Sequence, residues 1–323
     1  MMVPMNRSLI FAIALAAAGV APVRAETILP VTNQGALART FALPELGETQ
    51  VLARGDHRYR IAVDWTNEYF ADQNANESLV LDGETTRIAF GWRESVAPSM
   101  EIGVQLPVLV TGGGILDGAI ENWHGLWGLP NGGRDQAPHN RYLYRYVRDG
   151  HTVLDVDTGT VAIGDAELSA GWQVFDSVAV RGMLKLPSGD ENELTGGNAG
   201  GALWIDYDPF QGAPRWSGFV SAGSSFNAKS SVLPDQQQQW VALGGAGVGY
   251  RLWRSFSLLG QLYAHSQLYS DSDLKALRRE GVQLALGGRY EFARDIALAA
   301  GFQEDLVTNS SPDFSLHFDV SFR

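Results

Sequence analysis

The 323-residue chain contains no cysteine, few basic residues and, beyond its first 25 residues, no apolar run long enough for a membrane-spanning helix. The lack of cysteine excludes disulfides, so an exported chain of this composition must be stabilised by another device. With 24 Lys and Arg against 36 Asp and Glu, the formal net charge is −12. Because nucleic-acid binding needs clustered basic residues that neutralise phosphates, this balance argues against a nucleic-acid partner.

The first 25 residues are typical of a secretory signal peptide. Arg7 precedes an apolar run from Leu9 to Val20, and the tripeptide ending at Ala25 resembles a small-x-small cleavage site. A membrane anchor is the rival interpretation, but the run is shorter than the roughly 20 apolar residues that a spanning helix needs. We therefore expect residues 1–25 to be removed. Since two basic and no acidic residues are lost, the net charge then becomes −14.

What the chain has in quantity is glycine, aromatic residues and strict alternation. It contains 37 Gly, 14 Phe, 10 Tyr and 9 Trp, a composition that favours a β-rich protein. Apolar and polar residues alternate with a period of two, which predicts strands with one apolar and one polar face. The alternating segments lie near 57–70, 78–93, 99–110, 163–174, 178–187, 198–208, 215–226, 240–252, 254–268, 280–292, 295–303 and 313–322.

The connections between these twelve segments alternate between short and long. Short links such as the one between the second and third segments are followed by longer ones, of which 111–162 is the longest. This rhythm is typical of outer-membrane barrels, which have short periplasmic turns and long extracellular loops. A soluble β-sandwich or periplasmic barrel would also alternate, with its apolar face inward, but would not require the rhythm.

We therefore predict an all-β fold, an antiparallel transmembrane β-barrel of about 12 strands in the outer membrane of a Gram-negative bacterium. The predicted organisation is a signal peptide at 1–25, an N-terminal periplasmic or plug segment at 26–56, and the barrel at 57–323. The expected partners are outer-membrane lipid, the barrel-assembly machinery during insertion and an unidentified small solute. No cofactor, metal or nucleic acid is expected.

Several stretches resemble the family called domain of unknown function 3187, whose members look like exported barrel proteins of Gram-negative bacteria. The stretches are LVLDGETTRI at 79–88, residues 112–134, GDAELSAGW at 164–172, LKLPSGD at 184–190 and EDLVTNSSPDFSL at 304–316. The resemblance runs from about Pro30 onward. It implies the location and the fold, and it brings no activity and no catalytic residues.

The loop 111–162 carries a predicted helix and a predicted hairpin. Apolar residues at helical spacing indicate one stripe of an amphipathic helix from about Ile115 to Trp127, with Pro130 and two glycines ending it. We interpret it as a structural plug or lid, with a gate that opens and a helix packed on the rim or the membrane surface as alternatives. Its candidate residues are Leu116, Ile120, Trp123, His124, Trp127 and Arg134. Asp149-Gly150 predicts a type I′ turn between two further short strands.

The polar faces of the predicted strands supply the candidate lumen residues. They are Arg58, Arg60, Asp64, Glu68, Arg87, Asp165, Glu167, Arg181, Lys185, Arg289, Glu291, His317 and Asp319, with Glu101, Asp206 and Arg251 on the same faces. Both signs of charge are mixed, whereas a selective pore tends to show one sign at its constriction. An internal salt-bridge network and a narrow polar channel therefore both remain open.

Catalysis is disfavoured by the arrangement of potential nucleophiles and bases. His265-Ser266 is the one adjacent His–Ser pair, and neighbours on a strand point to opposite faces. Loop acids at Asp271, Asp273, Glu304 and Asp305 are interpreted as solvated rather than as a calcium site. The leading hypothesis is a narrow or gated channel for small solutes. The alternatives are a sealed structural or adhesive barrel and, less favoured, a lipid hydrolase.

Overall fold

The computed structural model describes residues 28–128, 133–293, 295–306 and 311–323. The predicted signal peptide lies outside these ranges and stays a prediction. The strands are β1 His57–Gln73, β2 Glu77–Ala97, β3 Met100–Gly112, β4 Leu143–Arg148, β5 His151–Val156, β6 Val161–Ile163, β7 Ala166–Phe175, β8 Val178–Leu186, β9 Gly200–Tyr207, β10 Trp216–Asn227, β11 Trp240–Arg251, β12 Phe256–His265, β13 Gly281–Ala293, β14 Ile296–Asp305 and β15 Phe314–Phe322. The helices are α1 Asp117–Trp127 and α2 Lys275–Arg278.

Twelve of these strands form a closed antiparallel barrel, which confirms the predicted fold. Going round the wall from β1, the order is β2, β3 and then β7 to β15, and β15 pairs back with β1 from Tyr59↔Phe322 to Asn67↔Phe314. Closure leaves the twelve-stranded wall without an unpaired edge, so its backbone groups are satisfied inside the bilayer. None of the helices in the described ranges has the length and apolar character of a membrane-crossing segment.

The two faces of the wall divide as the alternation predicts. On β15, Phe318 is 50 % exposed whereas His317 and Asp319, its neighbours, are 1 % and 3 % exposed. Aromatic residues at both strand ends bound the apolar face, as Trp216 and Phe226 do on β10. The ten-residue separation corresponds to about 33 Å along a strand, or about 25 Å after a tilt of about 40°. That height matches the apolar band of outer-membrane barrels.

Beyond the membrane the wall is extended by β1 and β2, which are 17 and 21 residues long. The loop expected at 71–77 is therefore mostly strand, with a connection of three residues. The hairpin of β4 and β5 adds to the upper part of β2. Its turn has positive φ at Asp149 (50°) and Gly150 (78°), the type I′ geometry. The short strand β6 pairs with β3 just above β7.

Candidate functional site

The interior of the barrel is filled by residues 28–52, which we call the lumen segment. It rises through the barrel, turns in a single 3-10 turn at Ala38–Thr40 and descends toward the start of β1. Apart from this turn it has no regular secondary structure, yet nearly all of its residues are buried or half-buried. The structure thus places in the lumen a segment for which the sequence left a periplasmic and a plug position open.

The ascending arm is held by side chains of the inner wall. The amide of Gln261, midway along β12, accepts from Leu29 N at 2.9 Å and donates to Leu29 O at 2.7 Å. Higher on the same strand, His265 Nε2 lies 2.8 Å from the amide nitrogen of Asn33. Near the top, Ala36 N donates to the Glu68 carboxylate at 2.9 Å. These contacts follow the arm toward the extracellular end.

The descending arm is held in the same way by other strands of the wall. Ala42 N donates to Asn227 Oδ1 at 2.6 Å at the top of β10. Gly47 N donates to Asp206 Oδ1 at 3.0 Å, lower down on β9. At the periplasmic end, Leu52 N donates to Glu101 Oε2 at 2.7 Å. The arm therefore crosses the full height of the barrel.

These contacts explain the polar inner face of the wall. A buried chain without secondary structure leaves its backbone N–H and C=O groups without ladder partners, and each unsatisfied group costs about 1–3 kcal/mol. In the barrel, wall side chains take the place of a neighbouring strand. Arg181 does so for two carbonyls, since it donates to Glu48 O at 2.7 Å and to Gln50 O at 2.8 Å.

Charge pairs reinforce the docking of the lumen segment at its lower end. Glu101, which is 2 % exposed, binds Arg93 at 2.9 Å and Arg181 at 2.5 Å besides the backbone of Leu52. Glu45 of the lumen segment forms a two-point contact with Arg60, and Glu48 pairs with Arg93. Glu101 is therefore a shared anchor of wall and lumen segment.

A second buried network lies within the wall. Asp64 on β1 contacts Arg87 on β2 at 3.0 Å and His317 Nδ1 on β15 at 2.6 Å. Asp319, two residues further along β15, lies 3.3 Å from Arg60. This group joins the first and last strands, so it stabilises the seam where the barrel closes.

The GDA and LPSGD motifs meet in a third buried group. Lys185 of β8 contacts the Asp165 carboxylate, whose other oxygen accepts from Gly189 N at 2.9 Å and Gly197 N at 2.8 Å. Gly197 has φ of +104°, a conformation that favours glycine. Asp165 thus ties the 187–199 loop to the wall, which is a structural role.

The remaining lumen candidates lie low in the barrel or near its rim. Arg58, Glu167 and Arg289 border a cavity of about 100 Å³ between the wall and the lumen segment. Glu291 is half-buried near the periplasmic end of β13, and Glu68 is the partner of Ala36. Twelve of the thirteen lumen candidates lie on strands, at alternate positions whose side chains point toward the lumen. The thirteenth, Asp165, lies just before β7.

An apolar cluster covers the extracellular mouth above the turn of the lumen segment. It contains Tyr144 and Tyr146 of the β4 hairpin, Leu233 from the β10–β11 loop, and Tyr269, Leu274 and Leu277 from the β12–β13 loop. Tyr269 packs edge-on against Phe41 at 5.3 Å and donates to Leu37 O at 3.1 Å. Burial raises the pKa of Tyr269 and of Tyr144, which keeps both phenols neutral. We call this cluster the cap.

Helix α1 lies on the outer side of the wall and does not enter the mouth, which corrects the plug-or-lid interpretation. Its first residue, Asp117, contacts Arg134 and accepts from Asn67 Nδ2 at 3.0 Å, and Leu116 N donates to Glu84. Asn67 and Glu84 are paired in register on the outward face, because Thr66 and Glu68 point inward. Ile120 is 4 % exposed. The side chains of Trp123, His124 and Trp127 lie outside the described part.

The glycines before α1 allow this close approach. An added Cβ at Gly113 would lie 1.9 Å from Asn140 O, and one at Gly114, which has φ of +70°, would lie 1.8 Å from the Glu84 carboxylate carbon. Only glycine fits both positions. The glycine cluster therefore directs the chain back onto the outer wall.

The other residues considered for chemistry have structural partners. His265 Nδ1 contacts the carbonyl of Ser266, while the Ser266 hydroxyl accepts from Ala242 N. Asp271 pairs with Arg148, and Asp273 with Arg278. Across the described residues, no cluster of three or more His, Asp or Glu side chains is arranged to hold a metal ion.

Sequence reasoning placed Glu68, Glu101, Arg181 and Asp206 on the lumen faces but missed other residues that hold the lumen segment. Glu45 and Glu48 lie in TFALPELGETQ, an extended stretch without periodicity. Gln261, Asn227 and Gln173, which accepts from Val51 N at 2.9 Å, were not singled out, because a polar residue on a lumen face has no further sequence signal that identifies its partner. The only indication in the sequence was that one face of each predicted strand is polar.

The closed barrel, its apolar belt and its polar lumen define the class of protein, an outer-membrane β-barrel. Over residues 6–323 the sequence matches the family described as protein of unknown function (DUF3187), and the chain belongs to that family. No curated protein matches it.

The COG4313 channel supports the fold, and two other solved barrels show weaker similarity. The COG4313 outer membrane channel from Pseudomonas putida F1 is 13 % identical with a TM-score of 0.55, over 86 % of this chain and 98 % of the other. The Ralstonia pickettii toluene transporter TbuX is 10 % identical with a TM-score of 0.44, over 90 % and 97 %. The translocator domain of the autotransporter NalP from Neisseria meningitidis is 10 % identical with a TM-score of 0.49, over 85 % and 90 %.

Proposed function

We propose that this protein is an outer-membrane channel for a small polar solute, and that the lumen segment is a plug that moves to allow passage. The observation that carries the proposal is the way the lumen is filled. About eight strands enclose just enough space for their own side chains, and larger barrels leave room. Here the extra space of twelve strands is taken up by a separate stretch of chain rather than by larger wall residues.

Many contacts of the plug are of a kind that water or a solute can replace. They are hydrogen bonds between its backbone and wall amides or carboxylates, such as Leu29–Gln261 and Ala42–Asn227. A typical hydrogen bond of this kind contributes only about 0.5–1.5 kcal/mol net, because water competes for both partners. Once the plug has moved, the polar wall is well suited to hydration.

The mixture of charges favours a small polar solute without one required sign of charge. Arg58, Arg289 and Glu167 border the cavity of about 100 Å³, together with Glu45 and Glu48 of the plug. A ring of one sign would instead favour a selective ion pore. We therefore infer a polar solute without a required sign of charge from the balance of basic and acidic side chains around the cavity.

A sealed barrel that acts through its outer loops is the second candidate, and the cap favours it. The cap buries Leu37 and Phe41 of the lumen segment together with hairpin tyrosines. Displacing the plug must therefore also disturb apolar contacts at the mouth. The two candidates differ in whether the plug leaves its place.

A disulfide between the plug and the wall distinguishes the channel from the sealed barrel. A Cβ built on Gly200 would lie 2.9 Å from the Cβ of Ala42, so a small shift brings Ala42→Cys and Gly200→Cys to the usual disulfide separation of about 3.5–4.5 Å. Because the chain has no cysteine, this bond would be the only one. We expect the reduced double variant to show conductance steps in a planar bilayer and the oxidised form to show none.

Controls make each outcome decisive. The single variants Ala42→Cys and Gly200→Cys should conduct equally with and without reductant. Equal steps in the oxidised and reduced double variant would mean that ions pass without plug movement, which contradicts the proposal. Silence of the reduced double variant, together with steady steps from a chain lacking residues 28–52, would favour the sealed barrel.

A further inference from the structure

The exposed side of α1 is apolar. Leu126 is 73 % exposed, Ile115 just before the helix is 75 % exposed, and Ala119 is also exposed. Residues 119, 122 and 126 of α1 follow helical spacing and, with Ile115 just before the helix, form an exposed stripe in which Asn122 is the one polar member. No charged side chain interrupts this stripe.

The charged residues of α1 point the other way, toward the protein. Asp117 is 3 % exposed and is bound to Arg134, Asn67 and the backbone of Asn140. Glu121 contacts His139 at 2.9 Å. A helix on a water-exposed surface has the reverse arrangement, with charge outward and apolar residues inward. The inverted arrangement indicates that the outer side of α1 does not face water.

The position of α1 on the wall identifies what it faces. It begins against Asn67 and Glu84, and Trp65, two residues below Asn67 on the same outward face, donates to Glu84 at 2.9 Å. Two strand residues correspond to about 7 Å. A half-buried Trp at this height belongs to the aromatic girdle at the membrane surface. The start of α1 is therefore at the level of the lipid headgroups.

The apolar stripe is also next to the lipid-facing belt. Val110, near the end of β3 that leads into α1, is 42 % exposed. Val161 and Ile163 of the neighbouring β6 are 72 % and 51 % exposed. These outward residues form the upper part of the belt, and the stripe begins at Ile115, five residues after Val110.

We propose that α1 is an interfacial helix, and that its stripe of Ile115, Ala119 and Leu126 binds the outer leaflet of the membrane at the boundary between headgroups and acyl chains. Interfacial helices bury their apolar face about 5–10 Å into this boundary. The salt bridge of Asp117 and Arg134 fixes the helix to the barrel from the other side. This inference does not depend on whether the lumen segment moves.

Single-cysteine spin labelling tests the proposal, since the chain has no native cysteine. Leu126→Cys is the probe. Leu203→Cys, at a lipid-facing residue of β9 that is 68 % exposed, is the lipid control, and Val153→Cys, at a 42 % exposed residue of the extracellular hairpin, is the water control. Each nitroxide-labelled protein is refolded in dioleoylphosphatidylcholine vesicles, and its accessibility to oxygen and to a water-soluble nickel chelate is measured.

We expect the ratio of oxygen to nickel accessibility at Leu126→Cys to resemble that at Leu203→Cys and to exceed that at Val153→Cys several-fold. A ratio equal to that of Val153→Cys would mean that the stripe faces water and would overturn the proposal. Line broadening at Leu126→Cys that disappears on dilution with unlabelled protein would show that a second copy covers the stripe, which would also overturn it. Conductance is not part of either readout.

Discussion

Two segments outside the strand pattern lie against the same wall on opposite sides. The lumen segment lies inside, and its backbone is bound by wall side chains such as Gln261 and Glu101. The α1 segment lies outside and is held through its side chains, with Asp117 and Arg134 against Asn67. One has almost no regular structure and the other is helical.

The difference shows that secondary structure alone does not identify a plug. A helix satisfies its own backbone, so it can lie in lipid or at its surface. A chain without secondary structure needs partners for its N–H and C=O groups, and in a barrel the polar lumen supplies them. The segment that is least regular in sequence is therefore the one that occupies the lumen.

Deletion of each segment is expected to have the largest effect and to separate them directly. Removal of residues 28–52 should give large, persistent conductance steps, because the twelve-stranded lumen is then open to water. Replacement of residues 115–133 by a short Gly-Ser linker should leave conductance at the wild-type level. Planar-bilayer recording of both proteins checks this, and steps in the second but not the first would reverse the assignment.

Loss of the shared anchor Glu101 is expected to have the next largest effect. Glu101→Ala removes the most buried counter-charge of Arg93, leaves Arg181 with Glu48 and Asp206 alone, and leaves the backbone of Leu52 without its acceptor. Breaking a buried ion pair of this kind costs about 3–5 kcal/mol. Urea unfolding in vesicles measures the loss of stability.

Two matched variants show what the loss of stability in Glu101→Ala is due to. Glu101→Gln keeps an acceptor for Leu52 N but removes the charge, so a smaller loss would separate the two contributions. Asp155→Ala breaks the exposed pair with Arg145, and an exposed pair contributes about 0–1 kcal/mol. Equal losses for Glu101→Ala and Asp155→Ala would refute the role of Glu101 as an anchor.

Gly47→Ala is expected to have the smallest effect. Gly47 has φ of +99°, and an added Cβ would lie 2.6 Å from both Ile28 and Phe219. Strain and overlap together should cost about 1–3 kcal/mol and should increase the frequency of channel openings, because the descending arm docks less tightly. Gly55→Ala is the control, since Gly55 has φ of +84° but no atom within 4 Å of the added Cβ. Equal opening frequencies in both variants would mean that packing at Gly47 does not hold the plug.

Much of the wall follows from the residues themselves. The last predicted segment, 313–322, is β15 at Phe314–Phe322, and its polar residues His317 and Asp319 point inward as expected. The predicted helix from about Ile115 is α1 at Asp117–Trp127. The predicted loop 71–77 differs, because β1 and β2 continue beyond the membrane as a paired hairpin. Alternation alone does not show where lipid ends and water begins.

The sequence by itself determined the barrel, since a period of two sorts each strand residue to lipid or lumen and the loop lengths order the strands. Which segment fills the lumen was decided by the tertiary structure. The backbone of residues 28–52 finds its partners on β3, β9, β10 and β12, strands that are far away in the chain. The side of the wall taken by α1 was decided by two paired residues, Asn67 and Glu84, because they hold its first turn on the outer face. Such long-range polar contacts leave no local pattern, whereas strand alternation is local by nature.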